Sequence, residues 1–308
     1  MPLTSDLSRR ALIGGGIALG VATQVRAAQS TSEKIALWPG RPPGGERVTV
    51  TQREIPRSAD GPADDTAFVN VTRPELTLTR PARPNGAALL LIPGGGYVRV
   101  AIGRGGRALA WHFADAGFHT YTLLYRLPGD GWAAGPNAPL QDAQRALRLI
   151  RARADREGYD PARMGALGFS AGGHVAARLA TVETSTYAAV DGADAMPLGL
   201  KAAGLLYPVI LTEGQHAHGT SRRELLDKNP TTESVAGNAA VSARTPPTFL
   251  AHALDDRVVP PDNSLAMLAA LRAAKVPAEC HLFETGGHGL GLESWSGLFL
   301  AWARRHGL

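Results

Sequence analysis

The middle and C-terminal parts of the chain alternate short apolar runs with amphipathic stretches. The runs "GAALLLIPGGG", "FHTYTLLYR" and "MGALGF" are apolar on both faces, as is typical of parallel strands buried inside a sheet. "APLQDAQRALRLIRARADREG" instead predicts a helix, because one apolar stripe contains Leu140, Ala143, Leu147 and Ile150. Three more strands are predicted in "KAAGLLYPVIL", "PPTFLAHAL" and "PAECHLFE". This alternation predicts an α/β fold with a mostly parallel central sheet and helices on both faces.

Other segments complete the predicted order of elements. "VTRPELTLTRP" alternates apolar and polar residues, which predicts an outer antiparallel strand, and a loop with one or two short edge strands precedes it. The segment "RALAWHFADAG" predicts a short helix that ends at Gly117. Further helices are predicted near Ser221–Leu226, Asn263–Ala274 and Ser294–His306.

Residues 1–27 are interpreted as a twin-arginine export signal rather than part of the fold, with a disordered, mildly basic N-terminus as the plainer alternative. The pair Arg9 and Arg10 precedes an apolar stretch, and a small residue, Ala27, marks the expected cleavage site. The apolar stretch is too short and too rich in glycine for a stable membrane anchor. We therefore expect one α/β domain over residues 28–308, and a protein that acts in the periplasm or outside the cell.

Composition narrows the possible partners. The formal net charge is +5, and the basic residues are scattered among acidic ones, so we expect no nucleic-acid partner. The single cysteine, Cys280, cannot form an intrachain disulfide and is interpreted as a small packed residue. His216 and His218 form an H-x-H pair without a cysteine or acid at matching spacing, so we expect no metal and no cofactor. The oligomeric state stays open.

A candidate nucleophile lies in the segment "ALGFSAGGH". Gly168, Ser170 and Gly172 match the G-x-S-x-G pattern, in which a sharp turn from strand to helix exposes one serine hydroxyl. A serine hydroxyl needs a base to take its proton and a third group to hold that base.

The candidate partners follow later in the chain, in the order acid and then histidine. Asp255 and Asp256 follow closely after the predicted strand "TFLAHA". Asp256 is the preferred acid because of its spacing to Val259 and Pro260, and Asp255 is expected only to shape the turn. Aspartate is also common in turns, so both residues could be plain turn formers. His288 follows the last predicted strand in the glycine-rich segment "FETGGHGLGL" and is the candidate base. Ser170, Asp256 and His288 form the predicted catalytic set.

Two backbone amides are predicted to stabilise an oxyanion. One is the amide of Ala171, beside the nucleophile at the start of a helix. The other is the amide of Gly95 in "IPGGGY", where three glycines leave room for an inward-facing N–H group. Tyr97, which follows, is predicted to line the substrate pocket. A tight glycine turn without a chemical role is the plainer alternative for this loop.

Together these segments resemble the α/β-hydrolase superfamily, and more narrowly its feruloyl-esterase-like and acetyl-xylan-esterase-like members. The resemblance covers nearly all of the chain after the predicted signal and implies a serine esterase, with acylated carbohydrates as plausible substrates. Two departures concern the entrance to the site. Pro93 stands where lipase-like relatives carry a histidine, and Arg104 and Arg107 occupy "IGRGGR", where related esterases often have His-Glu-Gly.

The expected reaction is hydrolysis of a carboxylic ester through an acyl-enzyme on Ser170. A serine peptidase or amidase of the same fold is one alternative, because the same three residues can cleave amides. A non-catalytic binding protein on a hydrolase scaffold is another. Whether residues 128–139, which include Trp132, form a lid is left open.

Overall fold

The structure, a computed structural model, describes residues 32–229, 231 and 234–308. The predicted export signal lies outside the described residues. An eight-stranded sheet has the order β1-β4-β6-β5-β7-β8-β9-β10, and β2 and β3 form a separate two-stranded sheet. The strands are β1 Glu33–Ala36, β2 Arg53–Pro56, β3 Thr66–Val69, β4 Glu75–Thr79, β5 Ala88–Ile92, β6 His119–Leu124, β7 Met164–Phe169, β8 Ala202–Leu206, β9 Thr248–Ala253 and β10 Ala278–Phe283.

Six neighbouring strands of the large sheet, from β6 to β10, run parallel to one another. Strand β4 is antiparallel to β6, and β1 is antiparallel to β4. The fully apolar strands β5, β7 and β8 are buried along their whole length in the centre of the sheet. The predicted mostly parallel sheet is therefore confirmed.

Helices cover both faces of the sheet. The helices are α1 Arg104–Asp115, α2 Ala138–Ala152, α3 Ala154–Glu157, α4 Ala171–Thr181, α5 Gly219–Arg222, α6 Asp262–Ala273 and α7 Leu292–Arg305. Phe113 of α1 and Phe299 of α7 belong to one apolar core, whereas Leu147 of α2, Val175 of α4 and Met267 of α6 belong to the other. The two cores lie on opposite sides of the sheet, and the α/β-hydrolase fold expected from the resemblance is confirmed.

Two local predictions need correction. The strand Glu75–Thr79 is antiparallel as predicted but is not outermost, because β1 pairs along its free edge. The long helix predicted from residue 138 to Gly158 breaks at Arg153 into α2 and the short α3. Gly158 does end this region, in the left-handed conformation at φ 80°.

None of the helices within the described ranges combines the length and the apolar character that a membrane span requires.

Candidate active site

Ser170 lies at the turn between strand β7 and helix α4. Its backbone has a φ of 54°, an uncommon value for a residue with a side chain, and it precedes the first residue of the helix. A Cβ atom at Gly172 would lie 2.1 Å from the carbonyl oxygen of Ile92, so only glycine fits there. The G-x-S-x-G pattern thus reflects how closely this turn approaches strand β5.

The structure brings together the three side chains that the sequence analysis selected. Ser170, Asp256 and His288 all lie beyond the carboxyl ends of parallel strands, which meet at one edge of the sheet. The distance between Ser170 Oγ and His288 Nε2 is 2.9 Å, and that between His288 Nδ1 and Asp256 Oδ2 is 2.8 Å. Asp255 points elsewhere and accepts a hydrogen bond of 2.8 Å from the Gly287 amide.

The carboxyl group of Asp256 is buried and well supplied with hydrogen-bond donors. Burial alone would raise its pKa, but hydrogen bonds from His288 and from the amides of Val259 and Val258 lower it below the usual value. Asp256 is therefore an ionised acceptor that holds the proton of His288 on Nδ1. The other ring nitrogen of His288 is then left to accept a proton from Ser170.

His252 lies behind this pair. Its Nε2 donates to the Val259 carbonyl at 2.9 Å and is 3.2 Å from Asp256 Oδ2, while its Nδ1 accepts from the Ser264 hydroxyl at 2.8 Å. Burial lowers the pKa of His252, so the ring is neutral and acts as a fixed donor. Its spacing of four residues from Asp256 was the available sequence signal.

The two amides predicted to bind an oxyanion are without hydrogen-bond partners among the described residues, and Gly95 lines the cavity around Ser170. In the described part of the chain, neither the Gly95 nor the Ala171 amide has a hydrogen-bond acceptor. Gly95 has a φ of 141°, and a Cβ atom there would lie 2.1 Å from the Arg99 carbonyl oxygen. This conformation turns the loop back on itself and excludes any larger residue.

Tyr97 does not lie where the sequence analysis expected it. Its side chain is 1% exposed and is absent from the lining of the cavity around Ser170. The hydroxyl donates instead to Nδ1 of His174 at 2.6 Å, because Nε2 of that ring donates to the Val235 carbonyl. The left-handed φ of 65° at Tyr97 directs the ring behind the loop, which corrects the prediction that it lines the substrate pocket.

A cavity of about 690 Å³ opens over Ser170 and His288. Apolar side chains cover much of its wall, among them Val98, Leu109, Phe169, Leu292 and Trp295. A volume of this size fits a small organic ester or a monosaccharide ester.

His218 also lines this cavity, although the sequence analysis considered it only as a metal ligand. Its Nδ1 accepts hydrogen bonds from the hydroxyl and the amide of Ser221, so the proton lies on Nε2. Burial and the nearby His288 lower the pKa of His218. The neutral ring is therefore available as an N–H donor beside the reacting groups.

Of the residues noted near the entrance, Pro93 lines the cavity, whereas Arg107 does not. Arg107 binds Asp64, with 3.1 Å between the charged groups, and Arg104 begins helix α1. Trp132 is buried, packs against the Arg126 guanidinium and lines a separate cavity of about 410 Å³ with Trp38. The segment that contains Trp132 thus borders this second cavity.

The described residues contain no group of three or more histidine, cysteine, aspartate or glutamate side chains that could hold a metal ion. His216 instead contacts Gln215, and its Nδ1 is 3.4 Å from a carboxylate oxygen of Asp262.

Comparison with known proteins identifies the family. A sequence model of the prolyl oligopeptidase family matches residues 137–306, which is more than half of the chain and includes Ser170, Asp256 and His288. The chain belongs to the prolyl oligopeptidase family. This family domain has the α/β-hydrolase fold described above.

Two of the similar proteins are named as a xylanase and an acetylxylan esterase. The chain is 34% identical over 224 residues to endo-1,4-beta-xylanase B of Butyrivibrio fibrisolvens and 30% identical over 223 residues to an acetylxylan esterase of Xylanibacter ruminicola. These matches cover 68% and 70% of this chain but only 34% and 43% of the relatives, so the chain spans less than half of their length.

A solved structure matches over nearly its full length. The acetyl ester-xyloside bifunctional hydrolase of Caldicellulosiruptor lactoaceticus is 30% identical, with a TM-score of 0.71. The alignment covers 89% of this chain and 96% of that structure.

Proposed function

We propose that this protein is a serine esterase that hydrolyses carboxylic esters through an acyl-enzyme. The observation that carries this proposal is the hydrogen-bonded series Ser170–His288–Asp256 beside two unpaired amides. A nucleophile, a base and oxyanion donors are the groups that acyl transfer requires.

The proposed reaction has two stages. Ser170 Oγ attacks the ester carbonyl carbon while its proton passes to Nε2 of His288, and the Gly95 and Ala171 amides hold the resulting oxyanion. The bond to the alcohol oxygen then breaks, and His288 returns the proton to that oxygen. Water attacks the acyl-serine in the same way, which releases the acid and restores the Ser170 hydroxyl. Asp256 stabilises the imidazolium ion in both stages.

Acetyl groups on carbohydrate are the proposed substrates. Supporting this choice are the acetylxylan esterase and the acetyl ester-xyloside hydrolase among the similar proteins. The cavity of about 690 Å³ also has room for a sugar ring beside a small acyl group.

Substitution of the nucleophile tests the proposed activity. Ser170→Ala should lower kcat for p-nitrophenyl acetate by about 10⁴-fold or more and abolish labelling by a fluorophosphonate probe. Circular dichroism should show that the variant is folded. Undiminished turnover in this variant would mean that the protein does not use Ser170, and failure of the wild type to react with ester or probe would favour a non-catalytic binding protein.

A serine peptidase or amidase is the second candidate, because the matching family is named for oligopeptidases. Comparing p-nitrophenyl acetate with an aminoacyl-p-nitroanilide separates the two. We expect rapid ester cleavage and little anilide cleavage, and rapid anilide cleavage without esterase activity would replace our assignment.

We further propose that residues 1–27 direct export through the twin-arginine pathway. The support is the Arg9-Arg10 pair before an apolar stretch. Expression in a bacterial host should place the enzyme in the periplasm or medium, and replacing both arginines with lysine should retain it in the cytoplasm. Equal export of the two forms would exclude this pathway.

A further inference from the structure

The charged side chains that line the cavity around Ser170 are all positive. Arg57 and Arg99 are the charged side chains among the described residues that line it, and no aspartate or glutamate lines it. Asp256 lies behind His288, is 5% exposed and accepts hydrogen bonds from protein groups. The surface offered to a substrate is therefore cationic as well as apolar.

The Arg99 side chain lacks a partner within the described part of the chain. It is half-buried in the cavity wall, and its guanidinium makes no hydrogen bond or ion pair there, whereas Arg107 nearby binds Asp64. Partial burial of an unpaired charge is unfavourable unless some other group compensates it. A planar guanidinium matches a carboxylate through two parallel hydrogen bonds.

The backbone beneath Arg99 is firmly held. Its amide donates to the Gly95 carbonyl at 3.3 Å, and the next residue, Val100, exchanges hydrogen bonds of 2.8 and 2.9 Å with Phe68 of β3. The guanidinium is thus presented from the same loop that supplies the Gly95 amide. A group bound there would lie in the same cavity as Ser170 and His288.

Arg57 adds a second positive charge on the same wall. It follows β2, which pairs with β3, and β3 is joined to the Arg99 loop through Phe68 and Val100. Its contact with Asp65 is long, at 3.4 Å, and both side chains are partly exposed, so this ion pair is weak. Arg57 can therefore contribute a positive electrostatic potential at the entrance, because its ion pair with Asp65 is weak.

We propose that the substrate ester carries a carboxylate, and that Arg99 binds it inside the cavity while Arg57 attracts it at the entrance. This inference rests on the proposed esterase function and deepens it. An acetylated sugar acid would place the carboxylate on the alcohol side of the ester, and a half-ester of a dicarboxylic acid would place it on the acyl side.

Matched synthetic esters test this proposal. 4-Acetoxybenzoate and its methyl ester differ in a carboxylate on the alcohol side, and phenyl hemisuccinate and phenyl methyl succinate differ in one on the acyl side. With rates normalised to alkaline hydrolysis, the wild type should favour the anionic member of at least one pair in kcat/KM. This preference should weaken as salt concentration rises, because salt screens the attraction.

Substitution of Arg99 assigns the preference to one side chain. Arg99→Gln should lower the ratio of anionic to neutral kcat/KM by about 10- to 100-fold, the usual effect of losing a hydrogen bond to a charged group. Arg99→Lys, which retains the charge but not the two parallel donors, should give an intermediate ratio. The exposed Arg272 on α6 provides the control, and Arg272→Gln should leave the ratio unchanged.

A binding measurement separates this proposal from the proposed activity. Ser170→Ala protein, which cannot form an acyl-enzyme, should bind 4-acetoxybenzoate or phenyl hemisuccinate more tightly than the corresponding methyl ester in calorimetry. Adding Arg99→Gln should remove that difference. If anions bind in this way but no ester is cleaved, the esterase assignment fails and the carboxylate site stands. If neither pair shows a preference in binding or turnover, the carboxylate proposal is wrong.

Discussion

At the scale of single residues, Asp256 determines the protonation of the candidate site. It is ionised and accepts the Nδ1 proton of His288, which leaves Nε2 facing Ser170. Asp256→Asn would present an amide N–H group to His288 and favour the wrong tautomer. In the proposed mechanism we expect kcat for p-nitrophenyl acetate to fall by about 10⁴-fold with little change in folding.

Asp255 supplies a matched control for that substitution. Asp255→Asn preserves an oxygen that can accept the Gly287 amide, so kcat should stay within a few-fold of the wild type. Equal losses in the two variants would show that the loop, rather than the Asp256 charge, limits the reaction.

At the scale of elements, the loop that carries Gly95 is fixed to helix α4 through a buried hydrogen bond between Tyr97 and His174. Tyr97→Phe removes the donor to His174 and leaves Nδ1 buried without a partner. The free energy of unfolding should fall by about 1–3 kcal/mol. Because the same bond holds the loop that carries Gly95, kcat should also fall, with KM less affected. Denaturant unfolding and ester kinetics on one preparation measure both effects.

Tyr121→Phe is the control for this prediction. Tyr121 lies on strand β6, away from the cavity, and its buried hydroxyl is 2.9 Å from the Tyr159 hydroxyl. In the variant, Tyr159 keeps its hydrogen bond to the Ile150 carbonyl. This variant should lose stability without a specific loss of kcat. If Tyr97→Phe behaves in the same way, Tyr97 only stabilises the fold.

A second element-scale prediction concerns the edge strand β1. Glu33 accepts hydrogen bonds from Arg80, Arg153 and Arg156, which lower its pKa to about 2 and tie β1 to β4 and to the α2–α3 region. A lowered pKa stabilises the folded state above the ordinary value of 4.5, and this contribution is lost as the pH falls from 4.5 towards 2.

Glu33→Gln should therefore reduce stability at pH 7 and make the remaining stability less dependent on pH below 4.5. Denaturant unfolding at pH 7 and at pH 3 measures this. Glu75→Gln removes a pairing with the exposed Lys34 and should change stability little. A Glu33→Gln protein as stable as the wild type at pH 7 would show that the cluster contributes nothing.

The elements differ in how far the sequence could predict them. Strands β5 and β7 and the turn at Ser170 were predictable, because continuous apolar runs and obligatory glycines constrain the chain locally. The direction of the Tyr97 ring was not, since it depends on a left-handed backbone conformation that favours glycine. His218 and Arg57 reach the cavity from segments far from Ser170 in sequence, so no local pattern connects them to it.

At the scale of the whole molecule, His174 connects three regions. It belongs to α4, accepts a hydrogen bond from Tyr97 in the loop that carries Gly95, and donates one to the Val235 carbonyl in the segment before β9. The ring is completely buried, and burial, with a contribution from the Arg178 charge, lowers its pKa to about 3. Protonation of this ring would place a charge in an apolar interior near the Arg178 charge. It would also occupy Nδ1, the nitrogen that accepts the hydrogen bond from Tyr97.

The whole fold should therefore lose stability in mild acid. In the unfolded chain His174 gains a proton near its ordinary pKa of 6.5, whereas in the folded chain it stays neutral until about pH 3. The resulting stabilisation is complete above pH 6.5 and is lost progressively as the pH falls from 6.5 towards 3. Denaturant unfolding from pH 8 to pH 4 should show this decline beginning well above the range in which Glu33 acts.

Nuclear magnetic resonance of the His174 ring provides the independent check. In the folded wild-type protein, the nitrogen chemical shifts should report a neutral ring with the proton on Nε2 down to about pH 4. This measurement does not depend on whether any variant folds. If the variant folds, His174→Gln should make the unfolding profile between pH 6.5 and pH 4 less steep, and the slope that remains belongs to other histidines with a lowered pKa, such as His218 and His252. Titration of the ring near pH 6.5 in the folded state, together with a stability profile that is flat over that range, would contradict the assignment of acid sensitivity to this buried histidine.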